Sequence, residues 1–306
     1  FFKDAQEGWV ASGKGTVLWS QDGGMNWKEM PTGLSKQSNL EGIVARAGPT
    51  GLATVWAVGT TGAILKSSDS GATWSFQVRE NLQGLRDLSF VTPLKVWAVG
   101  ESGKVYLSED GGRNWYLREI DIPYTLMGVT FVDENRGWVV GDHGSIFRTS
   151  DGGKTWSKLP GSDPGANFTD VFFFPDGAKG FFIGKGSTAI PSSLFYTDNA
   201  GSSWGSQSLP VTQPLRAITF IGEQQGWVVG EKGVILHTED GGTRWEQQKN
   251  GGTETLNGVF FLNDKVGWVV GNKGVVLNTK DGGRLWESKS SGTGRTDLND
   301  ILFFDD

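Results

Sequence analysis

Residues 137–156 read GWVVGDHGSIFRTSDGGKTW, and the reading of this stretch decides the fold. Gly137–Gly141 is an apolar run that stops at the short turn GDHG. A second run, rich in β-branched and aromatic residues, follows to Thr149, and the box TSDGGKTW closes the stretch at Trp156. Runs of this length bounded by Gly, Asp and Ser are strand signals. No stretch repeats apolar residues at helical spacing over a helix length. The stretch therefore holds two strands, a turn between them, and a second turn leading to a third.

The box recurs along the whole chain. SQDGGMNW (20–27), SSDSGATW (67–74), SEDGGRNW (108–115), TSDGGKTW (149–156), TEDGGTRW (238–245) and TKDGGRLW (279–286) are close copies, and TDNAGSSW (197–204) puts Asn199 in the Asp place. The apolar run recurs ahead of each box as GWVASG, VWAVG twice, GWVVG three times and GFFIG. A third segment opens each unit: LEGIVA (40–45), LRDLSF (85–90), LMGVTF (126–131), FTDVFF (168–173), LRAITF (215–220), LNGVFF (256–261) and LNDILF (298–303). Four short strands, a to d, in each of seven units of about 40–50 residues predict an all-β, seven-bladed β-propeller with four-stranded antiparallel blades.

The ends join in this reading. The last unit supplies strand a alone, and the first begins almost at strand b, with Phe1-Phe2 as a remnant of strand a. The C-terminal strand thus completes the N-terminal blade and removes two sheet edges that would otherwise invite wrong pairing. One domain over 1–306 is expected, with blade 1 at 298–306 plus 1–30, blade 2 at 39–79, blade 3 at 85–119, blade 4 at 126–159, blade 5 at 168–209, blade 6 at 215–248 and blade 7 at 256–289. A missing N-terminal strand that makes an eighth blade is the alternative. The start at Phe1 without Met reads as a mature or trimmed form.

Composition narrows the function classes. The formal net charge of -6 argues against nucleic acid, whose phosphates attract a basic face. With no Cys there is no disulfide framework or thiol chemistry, and two His leave little for zinc. No apolar run approaches the ~18 residues of a membrane span. No cofactor or metal site is expected, and no catalytic residue.

Thirteen of the 14 Trp fall at two fixed positions per unit, one in strand b and one closing the box. That regularity reads as blade-to-blade packing rather than as a sugar-stacking platform. The box Asp residues read as turn formers that accept backbone N–H bonds in their own loop. Copies placed one per blade do not converge on one site.

The S/T-x-D-x-G-x-x-W box resembles the Asp-box, or BNR repeat, of sialidases, sortilin-like receptors, xyloglucanases and the photosystem II stability/assembly factor. Its pairing with GWVVG and the run after it most resembles the last of these, over essentially the whole chain. The resemblance implies a non-catalytic scaffold that binds photosystem II reaction-centre polypeptides during assembly, in the thylakoid lumen or associated with the thylakoid. It also implies an arginine-rich patch in the middle blades, whereas Arg79, Arg86, Arg118, Arg136, Arg148, Arg216 and Arg295 are scattered here. The alternative within the same repeat class is a secreted, periplasmic or cell-surface propeller that binds glycan or serves as a subunit of a larger complex. A glycoside hydrolase is the weakest reading, since neither the F/Y-R-I-P motif nor a Tyr placed as nucleophile is found.

Propeller ligands usually meet the end that carries the d–a and b–c loops. The residue just inside strand a there runs Glu41, Arg86, Met127, Thr169, Arg216, Asn257 and Asn299, and varies; the next runs Gly42, Asp87, Gly128, Asp170, Ala217, Gly258 and Asp300, and is small or Asp. Glu41, Arg86, Asp87, Asp170, Arg216, Asn257, Asn299 and Asp300 form the candidate partner-binding set, with Arg86 and Arg216 suited to a carboxylate. Blade 5 is the odd unit. It lacks the strand-b Trp and enlarges its b–c turn to GKGSTAIPSSLF (184–195), which adds Lys185, Ser187, Thr188 and Ile190 as a second candidate set.

Overall fold

The structure is a computed structural model that describes residues 6–47, 52–78, 83–92, 94–160, 164–187 and 194–304. The expected Phe1-Phe2 remnant, Thr188 and Ile190 lie outside the described residues. The strands assemble into seven four-stranded sheets, the blades of a seven-bladed β-propeller with antiparallel pairing throughout the described registers. By its contacts the chain divides into two units, Phe1–Leu82 with Thr219–Asp306 and Gln83–Ile218. The first holds blades 1, 2 and 7 with strands b to d of blade 6. The second holds blades 3, 4 and 5, and the boundary falls inside strand a of blade 6 (Leu215–Ile221).

In the first unit the C-terminal strand Leu298–Phe304 pairs antiparallel with Glu7–Ser12, with Trp9 opposite Leu302 and Val10 opposite Ile301. It takes the place of strand a in blade 1. The expected joining of the two ends is therefore present in the structure.

Strands b are the most buried elements because both faces meet other strands. Gly137–Gly141 and Gly267–Gly271 are buried at every position. In the second unit, Trp97 of blade 3 stacks on Phe131 of blade 4 at 4.6 Å, and Trp138 of blade 4 stacks on Phe173 of blade 5 at 3.6 Å. In the first, Trp227 stacks on Phe261 at 3.5 Å and Trp268 on Phe303 at 3.8 Å. Trp97, Trp138, Trp227 and Trp268 thus each pack on the strand-a Phe of the next blade. In four blades the indole N–H reaches the next blade's box turn: Trp9 Nε1 donates to Ser70 O at 2.9 Å, Trp138 Nε1 to Ala200 O at 3.3 Å, Trp227 Nε1 to Gly282 O at 3.2 Å, and Trp268 Nε1 to Gly23 O at 3.2 Å. These bonds satisfy an N–H that would otherwise be buried unpaired, as it is in Trp97.

The Gly that opens GWVVG has a reason of space. A Cβ on Gly137 would lie 2.5 Å from the Phe131 ring across the strand pair, and one on Gly267 would meet Phe261 at the same distance. The ring of strand a covers the bare backbone of strand b.

The box turns close as the sequence suggests. In blade 4, Thr149 Oγ1 donates to Asp151 Oδ1 at 2.8 Å and accepts the Gly153 N–H at 2.8 Å, while Asp151 Oδ1 accepts the Thr155 N–H at 3.0 Å. In blade 5, Asn199 Oδ1 accepts the Ser203 N–H at 2.9 Å and so replaces the carboxylate. A further bond ties each turn to the a–b loop of its own blade, as in Gly152 N–H to Asn135 O at 3.0 Å and Gly282 N–H to Lys265 O at 2.9 Å. No helix among the described residues is long and apolar enough to cross a membrane.

Candidate functional site

Every strand a has a buried residue at or next to its start: Leu40, Leu85, Leu126, Phe168, Leu215, Leu256 and Leu298 are 0–2% exposed. The pairing register with strand b then shifts by one. The shift lies between Leu40 and Gly42, Leu85 and Asp87, Leu126 and Gly128, Phe168 and Asp170, and Leu256 and Gly258. In blade 1, Leu298 and Asp300 face Ser12 and Ala11. Glu41, Arg86, Met127, Thr169, Asn257 and Asn299 are therefore the extra residues of β-bulges. A bulge residue is released from strict alternation and re-aims its side chain, which is why this register varies while its neighbours do not.

Several of these side chains join blade to blade. In the first unit, Asn257 Nδ2 donates to Leu298 O at 2.9 Å, and Asn299 Nδ2 to Leu40 O at 2.7 Å. In the second, Thr169 Oγ1 donates to Leu215 O at 2.8 Å. Arg86 instead pairs with Glu101 in its own blade's b–c turn, Nη2 to Oε1 at 2.9 Å. Arg216 and Glu41 are half-buried at the equivalent places. The three aspartates of the next register are bound to the backbone. Asp87 accepts the Leu88 N–H at 2.7 Å and the Val129 N–H of blade 4 at 2.8 Å. Asp170 accepts Val171 N–H at 2.7 Å and Ile218 N–H at 2.9 Å, and Asp300 accepts Ile301 N–H at 2.8 Å and Ile43 N–H at 3.0 Å. Asp87, Asp170 and Asp300 therefore staple one blade to the next, and their carboxylates are committed to backbone donors rather than displayed to a partner. Their neighbours in the register must be small: a Cβ on Gly258 would lie 3.0 Å from the Asp300 Cα. Burial pushes the Asp300 carboxyl up to about 6.

The blade-5 set is described in part. Lys185 ends strand b (Gly180–Lys185) and is exposed, and Ser187 is half-buried. The Trp place of this strand is filled by Phe181, 1% exposed.

Two features escape the sequence reading. At the end carrying the d–a and b–c loops, Tyr124 lies on His143, ring centroids 4.1 Å apart and 12° from parallel. In the first unit, a groove of about 680 Å³ between blades 6 and 7 is lined by His237, Glu246, Asp264, Lys280 and Arg284 among others. His237 stacks on Trp227 at 4.8 Å and its Nε2 meets Gln225 Oε1 at 2.9 Å. Burial pushes its imidazole below the ordinary range. Neither site has a repeat signature, because each depends on residues that occur once.

Seven four-stranded Asp-box blades, with one end built of bulged strands and variable polar side chains, define a propeller of the BNR-repeat class. More particularly, the chain belongs to the Photosynthesis system II assembly factor YCF48 family, whose model matches residues 75–148, 119–191 and 196–293. The overlap of the matches reflects the repeat. The Photosystem II assembly lipoprotein Ycf48 of Synechococcus sp. (strain CC9902) is 32% identical over 85 residues, 28% of this chain and 24% of that protein. The match thus spans about a quarter of that relative's length. Among solved structures, YCF48 bound to D1 peptide has a TM-score of 0.72 at 19% identity, covering 91% of this chain and 89% of that one. YCF48 from Cyanidioschyzon merolae has a TM-score of 0.66 at 20% identity, covering 82% and 84%. These two likenesses show the shared fold.

Proposed function

We propose that this chain is a non-catalytic, thylakoid-associated scaffold that binds a segment of a photosystem II reaction-centre polypeptide during assembly, on the lumenal side of the membrane. Family membership over most of the chain carries this reading. It is supported by the curated relative named as a photosystem II assembly lipoprotein and by the similarly folded relative bound to a D1 peptide.

The binding end in this proposal is the one carrying the d–a and b–c loops. Glu41, Arg86, Arg216, Asn257 and Asn299 lie at bulges or strand starts there, on strands whose backbone is already stapled, so little ordering is needed on binding. Lys185 and Ser187 extend the same end in blade 5. A tagged copy expressed in a photosynthetic host and recovered from detergent-solubilised thylakoids tests the reading. Co-purification of D1 or another reaction-centre polypeptide is expected. Recovery without any such polypeptide would overturn it.

A further inference from the structure

Tyr124 and His143 stand apart from the other stacked rings. The remaining stacked pairs described above each have a buried Trp as one member, whereas Tyr124 is 37% exposed and His143 is exposed. Both rings are held from behind. The Tyr124 carbonyl accepts the Gly103 N–H at 2.8 Å, and Ile120 and Ile122, on the same loop, pack into the core of blades 3 and 4. The turn that carries His143 is pinned on three sides: Asp142 N–H to Thr125 O at 2.9 Å, His143 N–H to Asn167 Oδ1 at 3.0 Å, and Gly144 N–H to Ala166 O at 2.7 Å.

The fold does not call for an imidazole at this place. His143 sits at φ 56°, in the left-handed region, and the matching turn position in blades 3, 6 and 7 carries Ser102, Lys232 and Lys273 at φ 55–57°. Glycine has no steric penalty there. A histidine costs backbone strain, and its backbone bond to Asn167 would be made by any residue with an N–H. What the side chain adds is one half of a flat, rigid, solvent-facing aromatic surface. Pre-formed aromatic surfaces of this kind are where binding energy concentrates. Two carboxylates lie next to it in the chain, Asp121 three residues before Tyr124 and Asp142 just before His143, whereas Glu119 and Glu101 already hold Lys104 and Arg86. Such a surface suits a stacked ring, and carboxylates adjacent in the chain suit a cation beside that ring.

We propose that Tyr124 and His143 form an anchoring subsite for an aromatic side chain of the bound polypeptide, one with a lysine or arginine next to it in the sequence. This rests on the reading that the protein binds a reaction-centre segment. The test uses overlapping synthetic peptides tiling the D1 polypeptide, labelled and titrated with the full chain by fluorescence anisotropy. The variants are Tyr124→Ala and His143→Gly, with Lys232→Gly and Lys273→Gly as controls at the same turn position. The expected result is that the tightest tile holds an aromatic residue beside a basic one. His143→Gly and Tyr124→Ala then weaken it roughly tenfold or more, as anchor residues do, while both lysine variants bind as the parent does. His143→Gly relieves backbone strain, so a melting temperature no lower than the parent's separates lost contact from lost fold. A parent chain that binds a tile which His143→Gly binds equally well overturns the subsite and leaves the function standing. A parent chain that binds no tile overturns both.

Discussion

Asp300 and Asp151 are both carboxylates in short loops or strand starts, yet their surroundings act in opposite directions. Asp151 is held at about 2, first by the Thr155 hydroxyl and then by the Thr155 N–H; Asp110 is held at about 2, first by the Asn114 N–H. A depressed carboxyl favours the folded chain above its ordinary value near 4, and that support is lost as pH falls from about 4 toward 2. Asp300 is raised to about 6 by desolvation, so the folded chain binds the proton more tightly than the unfolded one does. Its ionised form therefore weakens the fold, and stability is lost as pH rises from about 4 to 6. Chemical unfolding of the parent and Asp300→Asn across that range measures this. The parent is expected to lose up to about 3 kcal/mol relative to the variant between pH 4 and 6, and nothing more above it; a difference independent of pH would contradict the assignment. The role of the box Asp was legible in the sequence, because its loop supplies all its partners within four residues. The role of Asp87, Asp170 and Asp300 was not. In the sequence they look like polar choices in a variable end, and only the strand register shows that their partners lie about 40 residues on, or across the joined termini.

Strands b and their glycines decide stability at the level of the element. Gly141 ends strand b of blade 4, and a Cβ there would lie 2.0 Å from the Thr125 carbonyl oxygen. Backbone cannot move aside as a side chain can. Gly141→Ala is therefore expected to disturb the start of strand a (Leu126–Phe131) and the His143 turn together, with a lowered melting temperature. Trp138→Ala removes a fully buried indole, its stack on Phe173 and its bond to Ala200. A loss of about 3–5 kcal/mol in an unfolding titration is expected; a loss below about 1 kcal/mol would show that the blade interface does not depend on it. The strands, turns and fixed Trp places were readable because each residue type recurs at the same point of the period. The bulge at the start of strand a was not readable. It leaves only variation at one position, and variation has several causes in a sequence.

At the scale of the whole molecule, the residues that repeat build the blades, and among those that vary from blade to blade are the strand-a bulge residues at the end carrying the d–a and b–c loops. Deleting Leu298–Phe304 removes strand a of blade 1 and exposes the edge of Glu7–Ser12. The shortened chain is expected to aggregate or to lose its cooperative melting transition, read by light scattering and circular dichroism. The family was legible in the sequence through the pairing of GWVVG with the box, which no single blade requires. The proposed partner-facing surface was legible only as an end of the molecule, since Tyr124 and His143 meet through loops of two different blades. Hydrogen–deuterium exchange of the full chain, with and without the tightest D1 peptide, tests this division of labour most directly. Slowed exchange is expected in the loops and strand starts at that end, around residues 84–87, 101–103, 120–127 and 142–145, and unchanged exchange in the Asp-box turns. Protection centred on the box turns, with the other end unaffected, would contradict it.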